Sequence, residues 1–214
     1  MGTSSLFEGR AKGIFVGLLS PLIAFLSRLG VNPNVLSIAG LFLNAAAGAA
    51  YGNGSFFSAA LIVAAAGTCD VLDGQLARAS GKVSAFGAFL DSTLDRIGEV
   101  FLFLGLAWYF SGGPSQSQSP LTIILIILAM EGSLMVSYTR ARAEGLGVTC
   151  NAGLMRRPER MVLLIAGSLP GSLPETGLSI IKITIFLLAV LSNITVVQRI
   201  YHTRARILNQ SKTG

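Results

Sequence analysis

Long apolar runs recur along almost the whole chain, and no other feature restricts its possible folds so strongly. They cover Val35 to Tyr51, Phe56 to Ala79, Phe86 to Phe110, Leu121 to Tyr138, Met161 to Leu169 and Leu178 to Val197. A helix needs about 20 mostly apolar residues to cross the hydrocarbon core of a bilayer. Inside lipid, only helices and closed barrels satisfy their own backbone polar groups. The fifth run is too short to span unless its helix starts in the polar segment Arg157-Pro158-Glu159-Arg160, so six spans are expected and five are the fallback. The chain is 52% hydrophobic and only 12% charged, where a soluble domain carries about 25% charged residues. The expected fold is an all-α integral membrane protein with six transmembrane helices over residues 31–206, followed by a cytoplasmic tail, 207–214.

Net charge is +6, and its distribution sets the expected orientation. The candidate outer loops 51–55, 111–120 and 170–177 hold no Lys or Arg and one acid, Glu175. Basic residues gather instead at Arg10, Lys12 and Arg28, at Arg78 and Lys82, from Arg140 to Arg160, and from Arg199 to Lys212. That asymmetry is the positive-inside pattern, which predicts both termini in the cytoplasm. The basic balance is read as topology plus attraction to anionic membrane lipids, not as nucleic-acid binding. Ile14 to Leu26 is interrupted by Pro21 and followed by Arg28 rather than by a small-residue cleavage site. It is expected to be an amphipathic helix lying in the interface within residues 1–30, ending at Gly30 before the Asn32-Pro33-Asn34 turn. Cys69 and Cys150 lack metal-ligand spacing.

The acids are the exception that carries chemistry. Only 10 acidic residues occur in the chain, yet Asp70, Asp73, Asp91 and Asp95 fall inside the second and third apolar runs. A charge near the bilayer centre costs about 2.5 to 3.5 kcal/mol on insertion scales, and four carboxylates together repel unless cations compensate. Asp70 and Asp73 are three apart and Asp91 and Asp95 four apart, so each pair shares a helical face. The polar stretch Arg78 to Gly87 suits a short turn, which makes the two helices an antiparallel hairpin with both pairs at similar depth. Two helices offering two carboxylates each make a hard oxygen site suited to Mg²⁺ or Mn²⁺. Gly74, Ala77 and Gly87 allow close approach of a backbone or ligand. Arg78 lies two turns from Asp70, where its guanidinium can grip a phosphate. Two other readings stay open on these residues alone: salt bridges to Arg78 and Arg96, and an ion or proton pathway.

The order Asp70-x-x-Asp73-Gly74-x-x-Ala77-Arg78, eight residues, then Gly87-x-x-x-Asp91-x-x-x-Asp95 resembles the motif of the CDP-alcohol phosphotransferase family at every fixed position. An interfacial helix ahead of six transmembrane helices is that family's layout. The resemblance implies an enzyme that moves the phosphatidyl group of CDP-diacylglycerol to the hydroxyl of a small alcohol and releases CMP. It implies that Asp70, Asp73, Asp91 and Asp95 hold two divalent cations on the diphosphate, and that Asp95 also serves as catalytic base. It implies further that Gly74, Ala77 and Arg78 line the CDP-diacylglycerol site. Gly87 is expected there too, as are Pro33, Asn34 and Ser37 at the mouth of the first span. Such chemistry needs cations to neutralise the diphosphate and a carboxylate to take the hydroxyl proton. Family members form homodimers, and the small-residue face Ala45 to Ala50 suits helix packing.

The acceptor must be read from elsewhere. Ser137-Tyr138-Thr139-Arg140-Ala141-Arg142-Ala143-Glu144 and Arg156-Arg157-Pro158-Glu159-Arg160 concentrate five arginines at the ends of the fourth and fifth runs, with Arg199 at the end of the sixth. So many guanidiniums fit a phosphorylated acceptor better than an uncharged one, and Pro158 at a helix start would add backbone donors. These segments are similar to those of the actinobacterial phosphatidylinositol-phosphate synthases, with Arg140 in place of Lys and Arg156 in place of an acid. That resemblance implies inositol 1-phosphate as acceptor, its phosphate held by Arg140, Arg157 and Arg199 with Arg142 and Arg160 nearby. Glycerol 3-phosphate, the acceptor of a phosphatidylglycerophosphate synthase, is the rival, and a cation transporter the remote alternative.

Overall fold

The computed structural model describes residues 17–113, 118–173 and 176–210. The expectations for Arg10, Lys12, the start of the first helix at Ile14, Glu175 and the last four residues therefore lie outside the described residues. Among those described, every extended element is a helix: α1 (Gly17–Arg28), α2 (Pro33–Gly52), α3 (Phe56–Ala79), α4 (Ala85–Phe110), α5 (Pro120–Glu144), α6 (Arg157–Ser168) and α7 (Gly177–Gln210). A 3-10 turn, Leu169–Ser172, extends α6, and Ser111 pairs with Gln118 in an isolated antiparallel bridge.

Five of the apolar runs sit inside one helix each, the fifth passes at Leu169 from α6 into the 3-10 turn, and two helices outlast their runs. Helix α5 continues past Tyr138 to Glu144, and α7 passes Val197 to reach Gln210. Apolarity marks where a helix meets lipid, whereas hydrogen bonding carries the helix on into polar sequence. By length and composition α2, α3, α5 and α7 can each cross a membrane. Helix α4, at 26 residues, is long enough but carries Asp91, Asp95, Arg96 and Glu99. Helix α6 has 12 residues and does begin at Arg157, within the polar segment, with Pro158 in its first turn.

The internal packing divides the described chain into two units: one with residues up to Leu43 together with Ala65–Ile97, the other with Asn44–Ala64 and everything from Gly98 onward. In the first unit, Asn32 caps α2 by accepting the Asn34 N–H at 3.0 Å, with Pro33 opening the helix. Ser84 caps α4 in the same way through the Gly87 N–H at 3.0 Å. The turn between α3 and α4 closes on Gly81, at φ +66°, with Lys82 N–H bonded to the Ala77 carbonyl at 3.0 Å. Helix α1 leaves Leu18, Leu22 and Phe25 exposed, a stripe at helical spacing that Leu29 continues in the turn beyond it, and buries Ile23.

The second unit holds the apolar core, centred on Tyr51, Phe56, Leu102, Leu106, Phe110, Ile126, Leu164, Ile181 and Ile185. Phe56, Tyr109 and Phe110 meet edge to face at 4.9 and 5.0 Å between ring centres. Small residues let the helices close in. A Cβ on Gly105 of α4 would lie 1.9 Å from the Gly48 carbonyl of α2. The small-residue face of α2 thus serves packing inside the chain. Tyr51 and Ser168 share a hydrogen bond of 2.8 Å that ties α2 to α6. Lys182, a cation inside the sixth apolar run, rests its ammonium 5.8 Å from the Phe110 ring centre. Large apolar side chains such as Phe42, Leu61, Leu104, Ile124, Phe186 and Val190 remain outward, as a lipid solvent requires.

Candidate active site

The α3–α4 hairpin brings together three of the four aspartates expected to meet there. Asp70 on α3 and Asp91 and Asp95 on α4 each bring a carboxylate oxygen to within 4.8 Å of the other two, all three half-buried. Three hard anionic donors at that separation fit a divalent cation such as Mg²⁺ or Mn²⁺. Asp73 takes a different place. It is 5% exposed, accepts the Ser37 hydroxyl at 2.6 Å and faces a cavity beside the other three.

That cavity measures about 350 Å³ and is lined by Pro33, Asn34, Ser37, Asp73, Gly74, Ala77, Arg78, Gly87 and Asp91, with the turn residues Lys82 to Ser84. Every residue expected at the nucleotide site on α2, α3 and α4 is therefore on one wall or another. Its glycines make room: a Cβ on Gly87 would lie 3.0 Å from Ser84 Oγ and 3.3 Å from Asn34 Oδ1, and one on Gly74 would lie 3.4 Å from the Arg78 guanidinium. Lys82 was not expected here. Its ammonium donates to the Gly30 carbonyl at 2.9 Å, joining the turn before α2 to the turn before α4. It lies in the variable spacer of the motif, where sequence gives no pattern to find it.

The arginines of the second unit separate into distinct roles. Arg160 is 1% exposed and makes a two-pronged pair with Glu99, Nε to Oε1 at 2.8 Å and Nη2 to Oε2 at 3.0 Å. Its remaining Nη1 donates to the Met155 carbonyl at 3.0 Å. Arg199, 2% exposed, donates to the Ala152 carbonyl at 2.9 Å and to the Val136 carbonyl. Thr195 accepts the Met155 N–H at 3.0 Å. Together these bonds staple the loop before α6 to α5, α6 and α7. Arg140 is exposed and bridges to Glu144 at 2.8 Å, and Arg156 bridges to Glu159 at 2.6 Å. Arg140, Arg156 and Arg160 lie close enough to Arg199 for their charges to act on it. Arg157, half-buried at the start of α6, acts in turn on Glu99. Arg142 lines a separate groove with Arg199 and Arg204; two residues turn an α-helix by about 200°, so Arg140 and Arg142 face apart. Glu99 escaped the sequence reading, although an acid one turn after Asp95 in an apolar run was the available signal.

The family model of CDP-alcohol phosphatidyltransferases matches residues 30–203, and the chain belongs to that family. It is accordingly an enzyme with several apolar helices of membrane-crossing length. It is similar to an archaetidylinositol phosphate synthase of Methanothermobacter thermautotrophicus, 37% identical over 181 residues covering 84% of this chain and 87% of the relative. A phosphatidylinositol phosphate synthase of Streptomyces avermitilis is 33% identical over 201 residues, covering 91% and 81%. Among solved structures, the phosphatidylinositol phosphate synthase of Mycobacterium tuberculosis superposes with a TM-score of 0.78 at 32% identity, over 86% of this chain and 92% of that one, in a crystal structure with CDP-DAG bound. The same enzyme also matches in complex with manganese and citrate, at TM-score 0.78 over 86% and 87% of the two chains.

Proposed function

We propose that this enzyme transfers the phosphatidyl group of CDP-diacylglycerol to inositol 1-phosphate, forming phosphatidylinositol phosphate and releasing CMP. The observation that carries the reading is the meeting of the Asp70, Asp91 and Asp95 carboxylates within 4.8 Å, beside a cavity lined by the other motif residues. The two curated relatives differ in the lipid part of their names and share the inositol phosphate part, which favours that acceptor.

The residues take roles as follows. Asp70, Asp91 and Asp95, with Asp73 beside them, hold two divalent cations, Mg²⁺ or Mn²⁺. Bound there, such ions neutralise the donor diphosphate and stabilise CMP as it leaves. Arg78 steadies a donor phosphate, while Gly74, Ala77 and Gly87 give the nucleotide its room, and Pro33, Asn34 and Ser37 close the near wall. The acceptor hydroxyl attacks the phosphorus that bears the diacylglycerol, the bond from that phosphorus to the CMP oxygen breaks, and Asp95 takes the hydroxyl proton. Arg140 and Arg157, with Arg156, hold the acceptor phosphate. The exposed bridges of Arg140 and Arg156 cost little to exchange for a phosphate. Arg160 and Arg199 position that cluster by fixing the loop that leads into α6.

The same reading has α4 and α6 spanning the membrane alongside α2, α3, α5 and α7. Helix α1 lies in the interface on its exposed stripe, both termini are cytoplasmic, and the enzyme works as a homodimer. Purified protein given CDP-diacylglycerol with inositol 1-phosphate, glycerol 3-phosphate or free inositol tests the central claim by CMP release. Turnover with glycerol 3-phosphate and none with inositol 1-phosphate would replace it with the phosphatidylglycerophosphate synthase reading.

A further inference from the structure

Helices α5 and α7 leave a groove near their C-terminal ends, away from the aspartate hairpin in sequence and not used by the reaction above. It encloses about 380 Å³ and its walls are almost wholly apolar. Tyr138, Arg142 and Leu146 form one side, Ile200, Arg204 and Ile207 the other, and Arg199 the floor. No carboxylate is among the residues lining it. Tyr138 and Ile200 are more than half exposed, at 60% and 55%, and Ile200 prolongs an outward apolar line on α7 through Phe186, Val190, Ile194 and Val197. Arg142 stands 22 residues beyond Pro120 and Arg199 22 beyond Gly177, so each lies about 33 Å along its own helix. A hydrocarbon core of about 30 Å ends near that level, where lipid phosphates begin.

An apolar groove alone is ordinary lipid-facing surface, and arginines at helix ends are ordinary topology. Their coincidence in one acid-free groove is the informative fact, because basic pockets between spanning helices suit anionic headgroups. We propose that this groove binds an anionic phospholipid of the surrounding leaflet. Its acyl chain lies along Val197 and Ile200, and its phosphate is held by the exposed Arg142 and Arg204. Arg199, turned onto the Val136 and Ala152 carbonyls, adds charge beneath. The groove shares no lining residue with the donor cavity, and the proposal does not depend on which acceptor the enzyme uses.

The test reads binding rather than catalysis. Trp108 is the one tryptophan of the chain, so Ile200→Trp in a Trp108→Phe background places a single fluorophore in the groove. The protein is reconstituted in phosphatidylcholine vesicles containing either brominated phosphatidylglycerol or brominated phosphatidylcholine, and quenching is titrated. Phosphatidylglycerol should be preferred by about tenfold or more, each exposed arginine contributing about fivefold, and the preference should shrink with salt. Arg204→Gln should lower it by about fivefold, and adding Arg142→Gln should bring it close to one. If the double variant fails to fold, the single Arg204→Gln titration decides. Equal quenching by the two lipids overturns the proposal. So does absence of quenching by either, which would mean that protein, such as a second copy of this chain, covers the groove.

Discussion

The acids of the first unit and the arginines of the second are both clusters of like charge in an apolar chain, and they obey different rules. The acids were placed by local geometry. Asp70, Asp91 and Asp95 sit on two helices joined by a turn of a few residues, and their helical spacing was enough to bring them together. The arginines were placed by distant partners: Arg160 by Glu99, 61 positions away, and Arg199 by Val136 and Ala152, 63 and 47 away. A local cluster of like charge implies a ligand of opposite charge. A dispersed one has to be resolved residue by residue, because buried members can be spent on the fold itself.

The sharpest way to break the comparison is to remove one local acid. Asp91→Asn should lower turnover by about a thousandfold or more, since the site loses several kcal/mol of charge stabilisation. Saturating chelator should do the same reversibly, in a CMP-release assay on protein with unchanged helical content. Next comes Glu99→Gln, which leaves the Arg160 guanidinium buried without its carboxylate. Breaking such a pair costs about 3 to 5 kcal/mol, so thermal unfolding should fall markedly, whereas Asp91→Asn should not lower it. If Glu99→Gln instead spared stability and abolished turnover, the staple role assigned to Arg160 would be wrong.

Smaller effects sharpen the division among the arginines. Arg157→Ala should raise the acceptor KM by about ten- to a hundredfold, as expected for a lost charge-assisted hydrogen bond, and leave the donor KM unchanged. An unaltered acceptor KM would reassign Arg157 to topology. Ser37→Ala removes the 2.6 Å bond to Asp73 and should weaken donor binding by about fivefold, the scale of one hydrogen bond near 1 kcal/mol. Glu144→Gln frees Arg140 from an exposed bridge and should change stability by less than about 0.5 kcal/mol. A larger loss would show Arg140 to be structural like Arg160.

Much of this molecule was legible before folding. The apolar runs gave the helices, because a chain that must live in lipid has little alternative. The Asn32-Pro33-Asn34 turn was legible, although its role as the cap of α2 was not, and the aspartate spacing foretold a cluster of four, of which Asp70, Asp91 and Asp95 meet. The ends of α5 and α7 were not legible, since helical hydrogen bonding outlasts hydrophobicity. Nor was Lys82, whose partner Gly30 belongs to another turn.

By itself the sequence determined which segments are helices and which acids share a face, since both follow from periodicities a few residues long. Only the tertiary structure decided that Asp73 turns to Ser37, that Arg160 pairs with Glu99 and Arg199 bonds to the Val136 and Ala152 carbonyls, and that Arg142 and Arg204 line one groove. Those outcomes depend on which helices become neighbours, and burial forces a charged side chain to take whatever partner that neighbour offers.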